Sequence, residues 1–249
     1  MSLLDGSIIN VAVPTLIHDI DASYDQVLWI IDGYLLVFSV PLLTTGRLGD
    51  TFGYRRLYVI GVAAFTAASA LCGLAASPAW LLTARLLQGP GGALLFPQVI
   101  SAILTIFPPH LRGRAFGLFG AIVGFAPIIG PVAGGLLLAH LSRRWIFLIN
   151  VPVGTTTSVL ALRFAPPLRS GRTHRLDLVG VALATAELAA VVFGLIEGER
   201  YDWGTITGPV TITSVIALGV VLLAVFVLAL FGARTSRSGT RSGSSSSSA

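Results

Sequence analysis

The chain has 249 residues and a formal net charge of +5, yet only 11% of its residues are charged and 54% are hydrophobic. Soluble domains carry roughly 25% charged residues, so this composition excludes an ordinary water-soluble fold and marks a polytopic membrane protein. Nor does the positive charge indicate a nucleic-acid partner: every basic residue is Arg, and nearly all fall in short segments between apolar runs, as membrane topology expects.

Eight spans follow in chain order, at roughly 2–20, 27–45, 58–76, 81–104, 115–139, 145–163, 178–197 and 209–231, each near the ~20 residues that a hydrocarbon layer requires. Ser77-Pro78, Pro108-Pro109 and Pro166-Pro167 punctuate them as turns. The first span is short, and neither a basic leader nor a small-residue cleavage site marks it as a signal peptide. Residues 234–249, rich in Ser and Arg, read as a disordered tail or as translation out of frame. The expected organisation is a six-helix bundle over 1–163, a basic loop over 164–177, two further spans over 178–231 and the tail over 232–249.

Placing the 46–57 segment on the cytoplasmic side puts Arg47, Arg55, Arg56, Arg112, Arg114, Arg163, Arg169, Arg172, Arg175, Arg234, Arg237 and Arg241 there too. The opposite side then holds Arg143, Arg144 and Arg200, and the 20–26 segment with Asp21 and Asp25 suits that outer face. This asymmetry orients the chain in a plasma membrane.

Ionisable groups inside spans are costly and point to function. Asp5 and Asn10 lie in the first run, although Asp5 so near the chain start also fits a place among lipid headgroups. Asp32, one turn into the second span, is either a contact for a cationic substrate or an interfacial acid. Arg85 is the one base inside a span, and its guanidinium must find an acid, carbonyls or water. The alternative for it is snorkelling towards the interface. Gln88, at i+3 from Arg85, shares its helix face. Cys72 reads as a packing residue. Glu187, inside the seventh span, is either a buried functional acid or faces an absent partner helix.

Between the second and third spans runs a charged, glycine-bearing loop with Gly46, Arg47, Asp50, Gly53, Arg55 and Arg56. The fifth span carries Gly124, Gly130, Pro131, Gly134 and Gly135, small residues that admit close helix approach beside a proline that removes a backbone hydrogen bond. No Walker loop, nucleophile elbow, metal-ligand pair or kinase signature occurs, so an ATP-driven pump or a membrane enzyme is not expected, and no cofactor is called for.

Five stretches in order resemble one family. They are Leu4-Asp5-Gly6 through Pro14, the 46–56 loop, Arg85-Leu86-Leu87-Gln88-Gly89-Pro90-Gly91-Gly92-Ala93, Gly124 through Gly135, and Trp145-Ile146-Phe147-Leu148-Ile149-Asn150-Val151-Pro152-Val153-Gly154. They are similar to motifs of major facilitator superfamily drug/proton antiporters, specifically the fourteen-span branch. Thr51 and Tyr54 depart from it where a base is common, and Gly49 where Ala is common.

The resemblance implies an all-α polytopic membrane protein, with the family's N-terminal six-helix bundle plus two further spans. It implies proton-coupled efflux of lipophilic or cationic drugs by alternating access. Asp5, Asn10, Asp32, Arg85 and Gln88 would couple proton and substrate, the 46–56 loop would gate, and 124–135 would bend and seal. The partners implied are a drug-like small molecule, protons and the bilayer. Family members carry a second bundle, so the sequence reads as an N-terminal fragment with a shortened first helix. The alternatives are a non-transporting fragment and a half-transporter completed by a second chain.

Overall fold

A computed structural model describes residues 1–166, 178–198, 201–207 and 210–222. The greater part of the expected basic loop, the end of the eighth span and the Ser/Arg tail lie outside the described residues. Two compact units divide the chain, Met1–Arg175 and Leu176–Ala249.

The first unit is helical throughout its described residues. Its elements are α1 (Ser2–Val11), α2 (Val13–Asp19), α3 (Tyr24–Ser39), α4 (Leu42–Phe52), α5 (Tyr54–Gly73), α6 (Pro78–Ile106), α7 (Pro109–His140), α8 (Arg144–Leu148) and α9 (Asn150–Phe164). Four helices among the described residues are long and apolar enough to cross a membrane, or five when α3 and α4 count as one bent span. The expected first span appears instead as α1 and α2, because Pro14 has no N–H to continue the ladder. A capping box starts α3 three residues earlier than expected, with Ser23 Oγ accepting from the Gln26 N–H and Gln26 Oε1 from the Ser23 N–H.

α6 is the centre of the unit and packs against α3, α4 and α5, while α1 lies on α7, and α5 also meets α8 and α9. One apolar core joins Ile8, Ile9, Leu16, Val27, Ile30, Leu81, Ile146 and Phe147 from α1, α2, α3, α6 and α8. Apolar side chains face outward as well: Leu118, Ile122, Phe125, Ile128 and Val132 on α7 are all more than half exposed. In water that surface would be a severe liability. In a bilayer it is the expected exterior, and buried polar contacts become the specific part of the packing.

Pro97 illustrates this. It removes the donor that would satisfy the Ala93 carbonyl one turn back in α6. Thr45 of α4 replaces it, with Oγ1 donating to the Ala93 carbonyl at 3.0 Å. Gln98 Nε2 in turn donates to the Thr45 carbonyl at 2.8 Å. At one end of the bundle Arg143, in the turn between α7 and α8, ties the α5–α6 turn to α2: Nη2 donates to the Ala75 carbonyl at 3.0 Å, and Nε lies 3.5 Å from Asp19 Oδ2.

The second unit holds α10 (Leu178–Glu197), a short antiparallel hairpin of β1 (Thr205–Thr207) and β2 (Val210–Thr211), and α11 (Ile212–Leu222). The hairpin is a small departure from the all-α expectation, and its β-branched Thr, Ile and Val suit a strand. Within this unit Glu187 is buried, with Oε2 lacking a hydrogen-bond partner.

Candidate functional site

Asp5, Arg85 and Gln88 meet in the interior of the first unit, at 0–1% exposure each. α1 supplies Asp5, and α6 supplies Arg85 and Gln88 from one face. Arg85 Nη1 donates to Asp5 Oδ2 at 2.5 Å and to Gln88 Oε1 at 2.8 Å. Gln88 Nε2 donates to Asp5 Oδ1 at 3.3 Å and to Ser69 Oγ of α5 at 2.6 Å. Asn150, the first residue of α9, donates from Nδ2 to Asp5 Oδ1 at 2.6 Å and to Ser69 Oγ at 3.2 Å. Every polar atom aimed at the Asp5 carboxyl in this set is a donor, and both carboxyl oxygens serve as acceptors.

The guanidinium is enclosed as thoroughly as the carboxylate. Its carbon sits 4.1 Å from the centroid of Tyr34 and 5.7 Å from that of Phe147, a cation–π arrangement out of water. Snorkelling is thereby excluded for Arg85, and a headgroup location for Asp5. Arg85 Nη2 and the Tyr34 hydroxyl remain buried without hydrogen-bond partners. A buried ion pair is weak evidence for stability, since desolvation offsets much of the Coulombic gain. A network of this kind therefore calls for a reason beyond holding the fold together.

Asn10 does not join this cluster. It is exposed, and five positions from Asp5 is about 140° around a helix, which turns it away. Asp32 is half-buried on α3, about 200° around the helix from Tyr34. Sequence reasoning passed over Ser69, Tyr34 and Asn150. Only Asn150 carried a usable signal, as an amide within the apolar stretch already singled out at 145–154.

The 46–56 segment differs from the expected loop. Helix α4 continues through Gly46, Arg47 and Asp50 to Phe52, and α5 starts at Tyr54. Gly53 alone makes the break, at φ 93° and ψ 132°, a conformation open only to glycine at low cost. Gly46 and Gly49 instead serve contact: a Cβ at Gly49 would collide with the Gln98 amide of α6. This gives the Gly-for-Ala departure a physical cause. The Tyr54 hydroxyl donates to Asp50 Oδ1, which accounts for a second departure, and Arg55 donates to the Leu162 carbonyl of α9. Arg47 and Arg56 are exposed.

The 124–135 stretch divides between two sides of α7. Gly130 and Gly134 are buried against Ser7 and Ile8 of α1, and Ser7 Oγ donates to the Ala126 carbonyl at 3.3 Å. Gly124 and Pro131 are exposed and Gly135 is half-buried, with open space beside Gly124 and Gly135. The helix runs unbroken through Pro127 and Pro131.

A bundle of apolar helices around one sequestered ion pair is the construction of a polytopic transporter. The Major Facilitator Superfamily model matches residues 1–246, and the chain belongs to that family. It is 42% identical over 82% of its length to an uncharacterized MFS-type transporter of Mycobacterium tuberculosis. It is 41% identical over 82% of its length to a probable actinorhodin transporter of Streptomyces coelicolor. A tetracenomycin C resistance and export protein of Streptomyces glaucescens is 37% identical over 95% of the chain. The chain spans 35%, 36% and 43% of these three relatives. Among solved structures, an auto-inhibited POT family peptide transporter superposes with a TM-score of 0.56 at 18% identity, over 90% of this chain and 50% of its own. At that identity the likeness concerns the fold.

Proposed function

We propose that the chain forms the N-terminal transport bundle of a proton-coupled exporter of lipophilic or cationic drug-like molecules, of the fourteen-span antiporter branch. The observation that carries this reading is the Asp5–Arg85 pair, sealed at 0–1% exposure, with donors from α6 and α9 on the carboxylate. An ionisable pair kept in a membrane interior at such cost marks a proton or ion pathway. Relatives named for antibiotic resistance and export support the substrate class.

In this mechanism Asp5 takes a proton from the outer side and becomes neutral, and Arg85 loses its counter-ion. The two states then differ in internal electrostatics, which shifts the outward–inward equilibrium. Arg85 and Gln88 tune that step. Asp32 and Asn10, outside the cluster, are assigned to substrate contact. The joint formed by Gly46, Arg47, Asp50, Gly53, Arg55 and Arg56 gates on the cytoplasmic face, where Arg55 reaches the Leu162 carbonyl of α9. The α7 stretch with Gly124, Gly130, Pro131, Gly134 and Gly135 forms the bending face. A second bundle, from the rest of a longer protein or from a second chain, completes the cavity.

Ethidium efflux from proteoliposomes under an imposed pH gradient tests this. With a second bundle present, efflux is expected to follow the gradient and to disappear in Asp5→Asn. Efflux indifferent to Asp5→Asn overturns the coupling role. From vesicles holding this polypeptide alone no efflux is expected, and efflux confined to cross-linked dimers would favour the half-transporter.

A further inference from the structure

Asp5 Oδ1 accepts two amide hydrogen bonds, and the shorter comes from Asn150, 2.6 Å against 3.3 Å from Gln88. The orientation of both amides is fixed by their neighbours. Gln88 Oε1 accepts from Arg85 Nη1, and Asn150 Nδ2 faces two acceptors, Asp5 Oδ1 and Ser69 Oγ, so a flipped amide would set oxygen against oxygen. Asn150 is 3% exposed and Ser69 is fully buried. Ser69 Oγ accepts from both amides and does not itself touch the carboxylate in this set of bonds.

We propose that Asn150 is a positioning residue that sets the proton affinity of Asp5, with Ser69 holding its amide in line; this rests on the reading of Asp5 as the proton-accepting group. Hydrogen bonds to a charged carboxylate favour the charged form. Other groups facing Asp5 are Arg85 of α6, Tyr34 of α3, Cys72 of α5 and the amino group at Met1. Of these only Arg85 is hydrogen-bonded to the carboxylate in the set above, and it holds the opposite oxygen. Oδ2 accepts from Arg85 alone, so a proton arriving from water bonds there without displacing either amide, and the short Asn150 bond to Oδ1 sets how readily it does so.

The test reads Asp5 directly. The chain is reconstituted in liposomes, and the protonated-carboxyl stretch is followed by infrared difference spectroscopy against pH, with Asp5→Asn identifying the band. Asn150→Leu is expected to raise the midpoint of that band by about one pH unit, a tenfold change in proton affinity. Ser69→Ala is expected to raise it by less, because Asn150 keeps its bond to Asp5 but loses its support. Midpoints that stay within about 0.3 pH units of the parent in both variants overturn the proposal, as does an Asp5 band that appears in no variant. A role in packing alone would reduce the yield of folded protein without moving the midpoint. Efflux is not read here, so a shifted midpoint in a chain that fails to transport would separate this inference from the proposed function.

Discussion

Replacing Asp5 with Asn looks conservative, but the geometry makes it severe. Asp5 Oδ2 receives Arg85, while Oδ1 receives Gln88 and Asn150. An Asn amide has one oxygen and one NH2, so either its NH2 faces the guanidinium or it faces two other amide donors. In both orientations donors oppose donors with no water to relieve them. Arg85 is also left as a buried cation, and a guanidinium cannot shed its proton to escape. Breaking a buried pair by removing one partner costs about 3–5 kcal/mol, whereas replacing both partners with apolar residues is often neutral or favourable by about 1–4 kcal/mol. We therefore expect Asp5→Leu combined with Arg85→Met to recover most of the stability lost in either single substitution. In the double variant Gln88 and Asn150 keep Ser69 Oγ as a shared acceptor. The assay is a double-mutant cycle on unfolding in mixed detergent, with a coupling of about 3 kcal/mol expected. A coupling below about 0.5 kcal/mol would refute the reasoning, because the two charges would then be stabilised independently by their surroundings.

The remaining predictions concern the joint between α4, α5 and α6. Thr45→Val preserves shape but leaves the Ala93 carbonyl, already deprived of a partner by Pro97, without its donor; a loss of about 1–3 kcal/mol is expected, with Thr45→Ser restoring most of it. An unchanged melting midpoint for Thr45→Val would mean that another group satisfies the carbonyl. Gly53→Ala forces a side chain onto φ 93°, and a strain of about 1–3 kcal/mol should lower the midpoint. Equal midpoints for Gly53→Ala and the parent would show that the α4–α5 joint relaxes freely.

How much of this was legible in the sequence depends on chemistry. Asp5, Arg85 and Gln88 stood out because charge and amide are scarce in apolar runs, and the i+3 spacing placed Arg85 and Gln88 on one face. That Asp5 lies against residues 80 positions away along the chain is set by the packing of α1 beside α6, which no local pattern records. Ser69 and Asn150 escaped notice because a hydroxyl or amide in a span is ordinarily satisfied by its own helix, as Thr155, Thr156 and Thr157 are here. The 46–56 segment reads as a loop because charge and glycine usually mark one. Its glycines do different work, Gly49 admitting Gln98 and only Gly53 turning the chain. The break between α1 and α2 was foreshadowed by Pro14 yet hidden by continuous hydrophobicity.

α1 joins the two halves of this arrangement. Asp5 on one side of it is bonded to α6 and α9, and Ser7 and Ile8 further along lie against Gly130 and Gly134 of α7. The second contact is close because α7 has no side chain at either glycine, so α1 can shift there only by moving α7 with it. Under the proposed function, neutralising Asp5 weakens the bonds that hold α1 to α6 and α9 while leaving its seat on α7 intact. The unit that moves on protonation is then α1 together with α7, and the unit that stays is α5, α6 and α9. Under the same proposal, the small residues on α7 and the polar residues around Asp5, which look unrelated in the sequence, serve one division of the bundle into a part that follows the proton and a part that does not.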